Sequence, residues 1–330
     1  MRPFIYIHPQ NEKEAFTAAL ATENSKYLGG GTNLLDLMKE DVERPSQLVE
    51  IADLNFNKIS EHESGGYTIG AMLSNADTAN HQKIRENYPL LSMAMLSAAT
   101  AQIRNMATNG GNLLQRTRCP YFFETSMPCN KREPGTGCGA LNGMNSQHAI
   151  FGWNEKCIAV NPSDMCVALA ALDAKVLVQK PEGDSRTIDF KNFHRLPEDK
   201  PELDNSLEPN ELITAIELPE PMFSDHYDYL KIRERSSYAF ALISVAAGLQ
   251  IKDGSIAKAG LAMGGVAHKP WKLTASEEFL TGKKPTSENF KKAAELAMKD
   301  ARPLSDNSYK IEIGIKAIER ALTQAFERKA

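Results

Sequence analysis

Five cysteines, Cys119, Cys129, Cys138, Cys157 and Cys166, fall within 48 consecutive residues of a 330-residue chain, and the rest of the chain has none. The odd number argues against a complete disulfide framework, and a chain this long has no need of one to hold a core. Residues 116–148 are rich in Pro, Gly, Asn and Arg and show neither a helical nor a strand period. A loop of that length is rare in a compact domain unless something pins it. Thiolates gathered on a metal or an iron–sulfur cluster would do so, because metal-binding energy then becomes folding energy. Nine, eight and eighteen residues separate the first four cysteines. These gaps are wider than the close pairs of zinc ribbons or bacterial ferredoxins. Spacing alone leaves an iron–sulfur cluster, a zinc site and ordinary reduced thiols open. Cys166 lies in the apolar run Met165–Leu169 and reads as an inert core thiol. His148, between the third and fourth cysteines, reads as structural rather than as a ligand.

Composition narrows the function. The net charge is -4 and the pI near 6.0, with no basic tract to follow a phosphate backbone, so nucleic acid is not an expected partner. No apolar run reaches the ~18–20 residues that span a bilayer, and no membrane association is expected. The first residues, Met1 to Pro9, lack the apolar core and cleavage site of a signal peptide. The expected location is cytoplasmic, or periplasmic by co-export with a partner that carries a signal.

The order of patterns is mixed α and β. Residues 11–24 read as a helix and Lys26–Leu28 as a strand running into Gly29-Gly30-Gly31-Thr32-Asn33, with a helix from Leu34. Strands are expected at Gln47–Ile51 and Tyr67–Leu73, and a buried helix at Pro89–Ala101. A second glycine turn, Asn109-Gly110-Gly111-Asn112, precedes the cysteine loop. Short strands are expected at His148–Phe151 and Cys157–Val160. Ser163 is a good N-cap for a helix over Asp164–Asp173. From about residue 222 three strands and then two helices, the first with Ser287 as its N-cap, suggest a separate α+β domain. Successive glycines leave backbone N–H groups uncovered, so each turn can curl around an anion, with Thr108 adding a hydroxyl. The plain alternative is a pair of tight turns, and neither matches a Rossmann or Walker fingerprint.

In combination these residues are specific. Gly29-Gly30-Gly31-Thr32-Asn33-Leu34, Ile69-Gly70-Ala71, Gln102-Ile103-Arg104-Asn105 running into Gly110-Gly111-Asn112-Leu113, and Pro162-Ser163-Asp164 occur in the order of one family. Over nearly its whole length the chain resembles the medium, FAD-binding subunit of the xanthine dehydrogenase and carbon monoxide dehydrogenase family of molybdenum hydroxylases. Within it, the segments 114–122, Pro128–Arg132, Ser236–Leu242 and Gly264–Trp271 resemble the FAD subunits of bacterial periplasmic aldehyde oxidoreductases.

The resemblance implies an α+β fold: a two-subdomain FAD-binding domain of the vanillyl-alcohol-oxidase (PCMH) type over 1–221, split near residue 55, and a C-terminal α+β domain over 222–330 with a small antiparallel sheet. It implies that Lys26, Tyr27, Leu28, Gly29, Gly30, Gly31, Thr32, Asn33 and Leu34 wrap the FAD pyrophosphate from one side. Thr108, Gly110, Gly111 and Asn112 would hold it from the other. Asp164 would bond the sugar-alcohol chain, Leu218 would meet the flavin ring through its backbone, and Lys231 would stand near the ring as a cation. The loop 114–158 would hold a [4Fe–4S] cluster on Cys119, Cys129, Cys138 and Cys157. The implied partners are a molybdopterin-binding large subunit, a [2Fe–2S] small subunit and an external electron acceptor. No general acid, base or nucleophile is expected in this chain, since the cofactors carry the chemistry. A stand-alone flavin oxidoreductase and a zinc-stapled scaffold without redox function are the rival readings.

Overall fold

The computed structural model describes residues 1–328, and the last two residues of the expected 222–330 domain lie outside it. Among the described residues the strands form three sheets. The first contains β1 (Ile5–Ile7), β2 (Ser25–Leu28) and β3 (Gln47–Glu50), in the order β1-β3-β2 and parallel throughout. Parallel strands of one sheet need a crossover connection, here between β1 and β2 on either side of β3. The helix Glu12–Ala21 supplies it, buries Ala15, Phe16 and Ala19, and packs with Val49 of β3. Its start is set by Asn11, whose side-chain oxygen accepts from the Glu14 N–H at 3.0 Å while the Glu14 carboxylate accepts from the Gln10 N–H at 2.8 Å. The C-terminal ends of parallel strands are where such sheets present ligands. The end of β2 delivers the triple glycine there.

The second sheet contains β4 (Ile59–Glu61), β5 (Tyr67–Gly70), β6 (Lys175–Gln179), β7 (Ser185–Asp189) and β8 (Leu212–Leu218), in the antiparallel order β4-β5-β8-β6-β7. The third contains β9 (His226–Ile232), β10 (Ile243–Lys252), β11 (Ser255–Gly264) and β12 (Trp271–Lys272), in the antiparallel order β12-β11-β10-β9. Asp253 and Gly254, both at positive φ (50° and 71°), turn β10 into β11 as a two-residue hairpin. Side chains alternate across a strand. Here both faces of the third sheet are apolar: Val245, Ala247 and Leu261 face the helices Ser287–Met298 and Tyr309–Glu327, while Ala246 and Ala262 join the core of the second sheet.

Between the second and third sheets lies the helix Asp164–Ala171. All of its residues are buried, as an all-round apolar helix requires. A Cβ added at Gly260 would stand 2.4 Å from the Ala171 carbonyl oxygen, and one at Gly264 2.6 Å from Val167, so glycine is what lets this helix rest directly on β11.

Several expectations need correction. His148–Phe151 and Cys157–Val160 form no strand. They exchange one bond, Ala149 N–H to the Ile158 carbonyl at 2.9 Å, while Ile150 and Phe151 both donate to the Val266 carbonyl, so this segment lies across the end of β11 rather than along an edge. The expected helix Pro89–Ala101 stops at Ser97. Ala99 takes a positive φ of 48°, and Thr100 caps a new helix, Ala101–Met106. The cap of the helix Ser287–Met298 is Thr286, which accepts from the Asn289 N–H, not Ser287.

Candidate functional site

A cavity of about 1750 Å3 opens at the C-terminal end of β2 and runs between the first sheet, the second glycine turn and β9. Every residue from Lys26 to Leu34 lines it, as do Thr108, Gly110, Gly111, Asn112, Asp164 and Lys231. Leu218 stands outside this lining. It is buried in β8 opposite Tyr67, and its carbonyl oxygen accepts from His62 Nε2 at 3.2 Å.

The two glycine turns are pressed together. A Cβ on Gly30 would lie 1.7 Å from the Met106 carbonyl oxygen, and Gly31 has φ +70°. Neither position admits another residue without moving backbone. Among the described residues none of the backbone N–H groups of Gly29 to Asn33 donates a hydrogen bond to the protein. Gly29, Gly30, Gly31 and Asn33 are half-buried and Thr32 is exposed, so these amides are open to whatever fills the cavity. A run of free amides along a large cavity can curl around an anion.

The second turn works differently from the expectation. The Gly110 N–H donates to the Ala71 carbonyl at 2.8 Å and the Gly111 N–H to Thr108 Oγ1 at 3.2 Å, so these amides are already spent. Asn109, fully buried, anchors the turn by donating to the Gly70 carbonyl and to Thr78 Oγ1. The second turn is thus a rigid wall from which the Thr108 hydroxyl and Asn112 side chain reach the cavity, and the first turn supplies the backbone donors.

Asp164 opens the buried helix, whose cap is the Ser163 hydroxyl, accepting from the Cys166 N–H at 3.0 Å. Its carboxylate accepts from Tyr229 Oη at 2.7 Å and from Lys231 Nζ at 2.8 Å. Burial first, then the neighbouring Asp164, drive the Tyr229 phenol far above its ordinary value, so it remains a donor. The carboxylate and ammonium are about 5% and 4% exposed, a balanced pair at the cavity wall rather than two free charges. At the mouth, Arg118 lies over the Phe240 ring at 5.2 Å and Arg235 over Tyr238 at 5.4 Å.

The four cysteines converge. Cys119, Cys129, Cys138 and Cys157 line one small cavity of about 10 Å3, and Cys129 faces Cys138 as an antiparallel pair. Burial pushes the Cys119 thiol up to about 12 and the Cys157 thiol up to about 11, the latter eased downward by Lys131. A metal's charge would ionise thiols held in this way. Among the described residues no three His, Cys, Asp or Glu side chains stand at the spacing of a single bound ion. A cluster of several irons holds its thiolates farther apart than one ion does, and so asks for a looser arrangement. The loop is also held by its own side chains: Asn130 Oδ1 accepts from the Gly135 and Gly137 N–H groups, and Arg132 donates to the Tyr121 and Phe122 carbonyls. His148 Nε2 lies 3.1 Å from Cys119 Sγ, and burial lowers this imidazole to about 4. Cys166 lies apart, fully buried within its helix.

A junction joins the two sites. The Arg116 N–H donates to Asn33 Oδ1 at 2.8 Å, and the partner atom Asn33 Nδ2 is buried with no partner in the protein. The Arg116 guanidinium pairs with Glu43 and with Asp204, both at 2.7 Å. Asp204 pairs also with the buried Lys131 at 2.6 Å, two residues from Cys129. Burial alone would raise the Asp204 carboxyl, but Lys131 and Arg116 outweigh it and hold it at about 2. Sequence reasoning missed Arg116, Lys131, Asp204 and Tyr229. Their partners lie 65 to 88 residues away, and the resemblance of segments 114–122 and Pro128–Arg132 gave Arg116 and Lys131 no role.

Comparison with known proteins agrees with this geometry. Residues 2–221 match the FAD binding domain in molybdopterin dehydrogenase, and residues 228–325 the CO dehydrogenase flavoprotein C-terminal domain. The chain is 43% identical over 325 residues to the aldehyde oxidoreductase FAD-binding subunit PaoB of Escherichia coli, covering 98% of this chain and 99% of that one. It is 25% identical to the carbon monoxide dehydrogenase medium chain of Afipia carboxidovorans, over 98% and 96% of the two chains. The solved carbon monoxide dehydrogenase of Hydrogenophaga pseudoflava shares its fold, with a TM-score of 0.78 at 24% identity over 100% of both chains. The chain therefore belongs to the family of FAD-binding medium subunits of the molybdenum hydroxylases. It is an oxidoreductase subunit of mixed α and β fold with a small antiparallel C-terminal sheet.

Proposed function

We propose that this chain is the electron-transfer flavoprotein of a heterotrimeric, molybdenum-containing aldehyde oxidoreductase. Its partners would be a molybdopterin-binding large subunit and a [2Fe–2S] small subunit, and electrons would leave to an external acceptor. The observation that carries the reading is the free backbone amides of Gly29 to Asn33 along the 1750 Å3 cavity. The full-length likeness to the PaoB subunit supports the choice of aldehyde as substrate class.

FAD, when bound, supplies a centre that takes electrons from one carrier and gives them to another. The chain's own residues bind and tune it. The Gly29–Asn33 amides and the bare Asn33 Nδ2 would hold the pyrophosphate, and the second turn would close over it with Thr108 and Asn112. The Asp164–Lys231 pair would offer a carboxylate to hydroxyls and a cation toward developing negative charge. The reading is tested by purifying the three-subunit complex without air, assaying flavin, and adding an aldehyde. Flavin bleaching through the intact complex, absent from the isolated chain, supports it. Turnover by the isolated chain overturns it in favour of a stand-alone oxidoreductase.

We further propose that the four converging cysteines hold a [4Fe–4S] cluster. A single zinc ion is the second reading: the cavity of about 10 Å3 has room for about one water, but no three ligating side chains among the described residues stand at single-ion spacing. Iron and zinc assays on the same complex separate the two. A periplasmic location by co-export is tested by fractionating cells that express all three subunits.

A further inference from the structure

We propose that His148 is a positioning residue that donates an Nε2–H···Sγ hydrogen bond to Cys119 and thereby raises the reduction potential of the cluster that the four cysteines hold. The inference rests on the cluster reading above. Its geometric basis is the 3.1 Å contact between His148 Nε2 and Cys119 Sγ, with the imidazole buried.

The ring is held from behind. The His148 carbonyl accepts from Lys310 Nζ at 2.8 Å and from Asn307 Nδ2 at 3.2 Å, and its N–H donates to the Asn145 carbonyl at 3.1 Å. Lys310 is fully buried and gives its other donors to the Gln147 and Gly265 carbonyls, so an amine bonded to three backbone carbonyls clamps this short segment. Asn145 extends the clamp: its side chain donates to Ser305 Oγ at 2.9 Å and accepts from the Asp306 N–H at 3.0 Å. The first turn of the last helix and the segment before it thus fix the angle at which the imidazole meets the sulfur.

The proton's place follows from what each ring nitrogen faces. Nδ1 is buried with no partner. A proton there would bury an unpaired N–H and turn the Nε2 lone pair on a sulfur rich in electrons. The proton on Nε2 leaves only a bare acceptor, which is the lesser cost. A donor to a ligand sulfur stabilises the reduced, more negative cluster over the oxidised one, and hydrogen bonds to sulfur are among the determinants of cluster potential. As a donor, His148 shapes the cluster without joining the four ligands.

The test uses the three-subunit complex purified without air, as wild type, His148→Phe and His148→Gln. Iron per chain is assayed, and the midpoint potential of the cluster is followed by paramagnetic resonance during redox titration. The expected result is wild-type iron in both variants, a midpoint shifted to more negative potential in His148→Phe, and a smaller shift in His148→Gln, whose amide N–H can still reach the sulfur. An unchanged midpoint in His148→Phe at full iron content overturns the proposal. Loss of iron from both variants also overturns it, since His148 would then be a ligand or a strut. Zinc instead of iron in the wild type is a different failure, that of the cluster reading itself.

Discussion

Lys231, on β9, and Asp164, at the head of the buried helix, meet at 2.8 Å with both charges almost wholly out of water. They lie 67 residues apart in the chain and fasten the third sheet to the core of the second. Removing one charge of such a pair strands the other in a poor solvent. Lys231→Met should cost about 3–5 kcal/mol of stability in denaturant unfolding. The double variant Lys231→Met with Asp164→Leu should recover most of that loss, because no charge is then left unpaired.

Gly30→Ala should abolish flavin binding. Its Cβ would overlap the Met106 carbonyl, a backbone atom that cannot rotate away. The two turns must part, and the spacing of the amides with them. Flavin absorbance of the purified complex should fall to a small fraction of wild type, with far-ultraviolet circular dichroism unchanged.

Asp204 predicts an acid limit. Its carboxyl lies at about 2 in the folded chain against 3.8 in a free one, so the folded state favours the ionised form. The stabilisation is fully present above about pH 4 and is lost as the pH falls through about 2. A shift of that size corresponds to about 2 kcal/mol. Asp204→Asn should remove that part of the acid dependence when unfolding is measured between pH 5 and pH 2. Because Arg116 leans on Asp204 and on Asn33 at once, the variant should also weaken flavin retention.

Cys129→Ser should strip the metal from the loop, while Cys166→Ala should leave metal content at the wild-type level. Cys129 lies against Cys138 in the converging set, whereas Cys166 is enclosed in the apolar helix. Metal analysis of the two purified variants checks both halves of the prediction.

What could be read in the sequence was local. Gly29–Asn33 stood out because a triple glycine has few uses other than a turn that brings backbone close to a neighbour, and the neighbour is the Met106 carbonyl. Ser163 read as a cap and is one, because the signal lies within four residues. Strand β8 went unread. It follows an acidic, Pro-containing loop, and as a central strand buried on both faces it lacks the alternation that marks a half-exposed one. Asp164 read as a ligand for a sugar chain, and its bonds to Tyr229 and Lys231 went unread. Those partners sit on a strand of another sheet, and no spacing rule predicts which strand will come to face a helix end. The spent amide of Gly110 was hidden for the same reason: its acceptor, the Ala71 carbonyl, is fixed by packing, whereas the Gly111 N–H is capped within the turn by Thr108.

The Arg116 junction has a kinetic consequence. Its bonds to Glu43, Asn33 and Asp204 span 73, 83 and 88 residues, and Lys131 reaches Asp204 across another 73. Closing loops of that size costs entropy before any contact repays it, and chains that depend on distant pairings fold slowly. The crossover unit of the first sheet and the hairpin of the third are short-range and can form early. The wall that steadies Asn33 cannot, so the Gly29–Asn33 turn should be among the last parts of this molecule to become rigid.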